Sequence, residues 1–152
     1  MSSLGLLRLA TVCLGLVACG SPTDATHSAD VTAAVDRADI EPERPAHITV
    51  MIANRGTSAV LITQNDACAQ PYLVRTVFGD DVPLPGRFCI AAVYPPRSLA
   101  PGESMTLEDQ WTGERDGAGR AAYAAPGRYQ ILARIQVDGR ELHSGPVWVR
   151  VH

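Results

Sequence analysis

Four cysteines carry most of the chemistry written into this chain, and their surroundings divide them. Cys19 closes the run Leu16-Val17-Ala18-Cys19 at the end of a short apolar stretch, which looks like a bacterial lipobox. Small residues let a signal peptidase reach the bond before such a cysteine. The cysteine, its thiol already carrying a diacylglycerol, then becomes the new N-terminal residue. Cys13 would leave with the leader, so Cys68 and Cys89 remain in the mature chain. In an oxidising exported compartment an even pair is most simply a disulfide. Closing a loop of about 22 residues would stabilise the fold by roughly 3 kcal/mol on the chain-entropy account. A metal or redox pair is the alternative; neither cysteine stands in C-x-x-C and no histidine lies between them, which favours the disulfide.

The remaining reactive side chains do not converge. His27, His47, His143 and His152 lack the spacing of metal ligands. No serine stands in G-x-S-x-G, and Ser104 is explained by the turn that precedes it. Asp80-Asp81 and Glu108-Asp109 are adjacent carboxylates, but neighbours on a strand point to opposite faces. A calcium ion at the Asp80-Asp81 turn is the functional option there, and a solvated loop is favoured over it. The expectation is therefore a protein that is not an enzyme, with no cofactor and no metal. Its 13 basic and 16 acidic residues give a net charge of −3, and every basic residue is Arg. An unclustered, mildly acidic balance offers no electrostatic footprint for nucleic acid.

Residues 9–18 form the apolar core of the leader, whereas crossing a bilayer as a helix takes roughly 20 residues. Residues 1–18 are accordingly expected to be a signal peptide, excluded from fold reasoning. Residues 19–28 are expected to be a lipidated flexible tether, and 29–152 one domain. The small polar residues 20–28 reach roughly 30 Å if extended, enough to hold a domain clear of the headgroups. Gly20 rather than aspartate after the cysteine favours the outer membrane if the cell has two.

The elements that would hold any binding surface read as short strands between Pro and Gly punctuation. Residues 29–39 fit a helical face or a strand; Val and Thr favour a first strand, closed by Pro42 and Pro45. Ile48, Val50 and Ile52 alternate with Thr49, Met51 and Ala53, and Asn54-Arg55-Gly56-Thr57 is expected to turn them into a hairpin with residues 59–63. Residues 72–78 read as a β-branched and aromatic strand, and 89–94 as a further short one. Ala100-Pro101-Gly102-Glu103 launches 104–111, with Met105, Leu107 and Trp111 on one face. Tyr129, Ile131, Ala133, Ile135 and Val137 alternate at the two-residue period of a half-buried strand. Asp138-Gly139 is a two-residue hairpin signal that returns the chain through 140–151, with Val147, Val149 and Val151 toward the core. Seven or eight strands and no alternating helices predict an all-β antiparallel sandwich.

Three stretches carry a resemblance: ITVMIANRGTSAVLI at 48–62, LAPGESMTL at 99–107 with Trp111, and APGRYQI at 125–131. Together they are similar to the BsuPI-type intracellular proteinase-inhibitor domain over most of 48–137. The resemblance implies an immunoglobulin-like β-sandwich and points to inhibition of a proteinase. It carries over no inhibitory residue. The chain departs from it at Cys68 and Cys89 and in the Pro-rich middle.

Trp111 shares parity with Met105 and Leu107 and belongs in the core. Trp148 has the opposite parity to Val147, Val149 and Val151 and is expected on the outer face, where an aromatic can anchor a partner. The loop 112–124, TGERDGAGRAAYA, is long for a hairpin and supplies Arg115, Arg120 and Tyr123 as further candidate contacts. The function expected is that of an exported, lipid-anchored protein-binding module, including a proteinase inhibitor. The alternative is a structural or assembly lipoprotein of the cell envelope.

Overall fold

A computed structural model describes residues 28–63, 69–86 and 95–152. The leader, tether residues 19–27, Cys19, Cys68, Cys89 and the expected strand at 89–94 lie outside the described residues. All regular structure within them is β. In chain order the strands are β1 (Ala29–Val35), β2 (Asp39–Ile40), β3 (Ala46–Asn54), β4 (Val60–Thr63), β5 (Tyr72–Thr76) and β6 (Arg97–Leu99). They continue with β7 (Ser104–Trp111), β8 (Glu114–Asp116), β9 (Ala121–Tyr123), β10 (Gly127–Val137), β11 (Arg140–His143) and β12 (Val147–Val151).

β1, β3 and β7 form a three-stranded antiparallel sheet with β3 in the middle. The two-residue period wins at β1 because β3 offers it a seven-residue ladder, Ala29↔Asn54 through Val35↔Ile48. Val31, Ala33 and Val35 then face inward and Asp30, Thr32 and Ala34 outward. Ile48, Val50 and Ile52 of β3 are fully buried, each such side chain contributing about 1.5–3 kcal/mol.

β10 is the spine of a seven-stranded sheet. β12 and β11 pair along one edge of it and β5 and β4 along the other, all antiparallel; β6 continues from β4, and β2 lies parallel beside β12. The Asp138-Gly139 turn has φ +49° and +74°, the two positive values a two-residue primed turn demands. Both sheets bury their inner residues in one cluster, where Ile48, Val50 and Ile52 meet Val74, Ile131, Ala133 and Val149. Trp111 lies in it as expected, edge-on to Tyr129 with ring centroids 5.6 Å apart.

Four expectations are corrected. The described residues alone hold twelve strands rather than seven or eight, because pieces of two to four residues are too short to show a period. β4 does not form a hairpin with β3 but pairs with β10 and β6, so the chain crosses between sheets after Asn54. The return segment 140–151 is two strands, since Arg134 pairs with His143 while Ile131 pairs with Val147, leaving one extra residue on the returning side. Buried Ser144 fills that bulge: its N–H donates to the Ala133 carbonyl at 3.2 Å and its Oγ accepts the Ala133 N–H at 2.9 Å. Finally, the loop 112–124 contains its own small hairpin, β8 with β9.

Candidate functional site

The strand directions give the described domain two distinct ends. Where the chain enters, the Ser28 carbonyl accepts the N–H groups of Arg55 and Gly56 at 2.7 and 3.0 Å, so the expected tether is already fastened at its last residue. The turns at 54–58, 100–103 and 138–139 gather at this end, joined by the Gly102 N–H donating to the Asn54 carbonyl. β1 then runs seven residues, roughly 20 Å at the rise of a strand, to the opposite end. There lie β2, the start of β10, the close of β5, β7 and β12, and the β8–β9 hairpin.

Three large aromatic side chains are exposed among the described residues: Phe78 at 89%, Tyr123 at 48% and Trp148 at 40%. All three belong to the far end. Phe78 tips the turn after β5, where the Thr76 hydroxyl accepts the Phe78 and Asp80 N–H groups and Gly79 takes φ +92°. Trp148 stands on the outer face, as its parity predicts, across from Gln130. The Arg128 guanidinium sits over its ring, 4.8 Å from the centroid, in a cation–π contact. Arg128 and Arg150 are direct cross-strand partners on that same face. With Ala38, Asp39 and Val149 these three line an open cavity of about 280 Å³.

Asp39, which lines this cavity, pairs through its Oδ1 with His152 Nε2 at 2.7 Å. That hydrogen bond, aided by the charges of His152 and Arg150, holds the Asp39 carboxyl below its ordinary value against a smaller opposing desolvation. Asp36, in the connection between β1 and β2, is lowered too, first by its hydrogen bond with Arg37 and then by the His47 N–H.

Tyr123 and Arg115 meet elsewhere at this end, in a more apolar cleft of about 440 Å³ with Val82, Pro83 and Tyr129. The Tyr123 hydroxyl reaches the Pro42 carbonyl at 3.4 Å. Arg120 is exposed at the hairpin tip and lines neither cavity. The structure therefore joins Tyr123 with Arg115, sets Trp148 among two other arginines, and leaves Arg120 apart.

Sequence reasoning missed Phe78, Arg128 and Arg150. The strand expected over 72–78 ends at Thr76, and Phe78 lies in the turn that was expected to begin only at Gly79. The arginine pair has no signal in either segment, because it follows only from the β10–β12 register. Asp81, weighed as a calcium ligand, is bound to Arg75 at 2.7 Å. Among the described residues no group of three or more His, Cys, Asp and Glu side chains is placed to hold a metal ion.

No protein-family model matches this chain, and no curated protein matches it. Solved structures resemble it at the level of the chain trace. A β-glucosidase from Erythrobacter marinus is 16% identical over 82% of this chain and 15% of its own, with a TM-score of 0.49. The alkylpurine DNA glycosylase AlkC of Pseudomonas fluorescens, bound to DNA containing an abasic-site analogue, is 17% identical over 82% of this chain and 30% of its own, with a TM-score of 0.48. A mutant β-glucosidase from Listeria innocua in complex with laminaribiose is 12% identical over 82% and 16%, with a TM-score of 0.45. This chain thus spans less than a third of the length of any of the three.

Proposed function

We propose that this is an exported, lipid-anchored protein whose two sheets form an immunoglobulin-like sandwich. It binds a protein partner of the cell envelope through the end of the domain away from its anchor and carries out no chemistry of its own. The observation that carries this reading is the gathering of Phe78, Tyr123 and Trp148 at the end opposite Ser28. The few residues that dominate binding energy at protein interfaces are enriched in Trp, Tyr and Arg, and aromatic residues as a class are enriched there. The lipobox at Cys19 supports the anchor, and the tether supports a domain presented outward from the membrane. Cys68 and Cys89 are read as a disulfide of the exported form, and two titratable thiols in the folded, non-reduced protein would contradict that.

The test is capture of the partner from membranes solubilised in a nonionic detergent. Phe78→Ser/Tyr123→Ser/Trp148→Ser should lose a partner that the intact protein retains, while Met51→Ser/Leu61→Ser, which removes exposed apolar side chains outside the far end, should keep it. Equal capture by both variants would refute the reading. A captured proteinase slowed by the intact protein would make this an inhibitor, as the resemblance to the BsuPI-type domain implies. A partner without such activity would make it a structural or assembly component. Cys19→Ser should release the protein from the membrane fraction.

A further inference from the structure

We infer that Arg128, Arg150 and Trp148 form a receptor site for an extended acidic segment of a protein partner, one that presents two carboxylates on alternate residues beside an apolar side chain. The inference rests on the binding end proposed above and names the chemistry of what binds there. Arg128↔Arg150 is the one directly opposed pair of formally like charges in the strand ladders of the described residues. Like charges at opposed positions, about 5 Å apart at Cβ, destabilise a sheet. Four other arginines relieve their charge in ion pairs: Arg37 with Asp36, Arg44 with Glu41, Arg55 with Asp30 and Arg75 with Asp81. Arg128 and Arg150, like Arg97, Arg115, Arg120, Arg134 and Arg140, have no such ion pair among the described residues, and both are exposed; what sets them apart is that they face each other. The only carboxylate lining their cavity is Asp39, which lies opposite Arg150 in the β12–β2 ladder and is shared with His152, so two guanidinium charges face one carboxylate.

The site is also ordered in advance. Trp148 fixes Arg128 by stacking at 4.8 Å, and the Arg150 N–H donates to the Ala38 carbonyl at 2.7 Å, tying that strand end to β2. A guanidinium is a planar fork suited to a carboxylate. Side chains on one face of an extended segment repeat every ~6.6 Å, while opposed Cβ atoms lie about 5 Å apart, a difference the long arginine stems can span. Such a segment lays one carboxylate on each guanidinium and an apolar neighbour against the exposed edge of Trp148. The energetic logic is that the partner supplies the negative charge that Asp39, one carboxylate between Arg150 and His152, leaves unmet.

The test uses the full lipidated chain in a nonionic detergent and a fluorescent decaglutamate peptide, followed by anisotropy. Arg128→Gln/Arg150→Gln should weaken binding tenfold or more and Trp148→Ala severalfold, whereas Arg97→Gln, an exposed arginine of β6, should change it less than twofold. Absence of saturable decaglutamate binding by the intact protein, or an equal loss in Arg97→Gln, would overturn the inference. So would displacement of the peptide by glycerophosphoglycerol at lower concentration than by triglutamate, which would assign the site to anionic lipid headgroups. If the double arginine variant captures the envelope partner as well as the intact protein while the triple aromatic variant does not, the binding end stands and the acidic segment falls.

Discussion

Asn54 is the residue whose loss the structure makes most informative. It ends β3 fully buried, and its amide joins the two sheets: Nδ2 donates to the Leu99 carbonyl at 2.9 Å and to the Ser58 carbonyl at 2.8 Å. Its Oδ1 accepts the Gly56 N–H at 2.9 Å, which the Ser28 carbonyl also accepts at 3.0 Å. Asn54→Ala removes both donors. A buried acceptor stripped of its partner costs about 1–3 kcal/mol and a half-buried one, which water can reach, about 1, so the variant should lose about 2–4 kcal/mol. The Gly56 N–H adds little, because Ser28 still holds it. Asn54→Asp should be worse at neutral pH, since it sets a carboxylate oxygen against two carbonyl oxygens in a buried site. Burial and those carbonyls raise the folded pKa of that new carboxyl, so the penalty is largest above the raised value. It should ease as pH falls and the group protonates. Urea unfolding followed by tryptophan fluorescence measures all three proteins. An Asn54→Ala protein within 0.5 kcal/mol of the original, where 0.5 is about the scatter of neutral substitutions, or an Asp variant as stable as the Ala variant, would refute the reasoning.

Three further expectations follow from single contacts. Gly56→Ala would place a Cβ 2.6 Å from the Ser28 Cβ, so it should destabilise by about 1–3 kcal/mol in the same unfolding assay, while Gly86→Ala, with open space around it, should stay within about 0.5. Ser144→Ala strips the Ala133 N–H of its Oγ acceptor and should cost about 1–3 kcal/mol; a neutral result would mean the bulge does not depend on that hydroxyl. Because the folded pKa of Asp39 is depressed, its stabilising bond with His152 is complete above the ordinary value of 3.8 and disappears as pH falls through the lower folded value. An NMR titration should therefore find the Asp39 midpoint below 3.8 in the intact protein and nearer to it in His152→Ala; identical midpoints would contradict the assignment.

What the sequence disclosed and what it withheld divide along the range of the forces involved. The alternation from Tyr129 to Val137 and the Asp138-Gly139 turn are local, and both are in the structure as read. Of the first strand expected over 29–39, residues 29–35 form it, legible once Val and Thr were set against the helical spacing, whereas 39–40 belong to β2 in the other sheet. The crossing after Asn54 was not, because Asn-Arg-Gly-Thr turns a chain equally well into a hairpin or into the opposite sheet. Which of the two forms is decided by a distant partner, the Leu99 carbonyl. The same holds at the candidate site. Parity alone put Trp148 outside, whereas Arg128 and Arg150 become neighbours only through a register that the Ser144 bulge shifts by one residue. Tyr123 and Arg115 were named as part of a long loop, and β8–β9 pairing turns that loop into a cleft wall.

The central claim is that the far end of the domain meets the partner, and photo-crosslinking in living cells tests it most directly. A benzophenone amino acid placed at position 78, on the most exposed ring of that end, should yield a discrete adduct with one envelope protein. The same group at position 97 should yield none. Adducts from position 97 and none from position 78 would contradict the account.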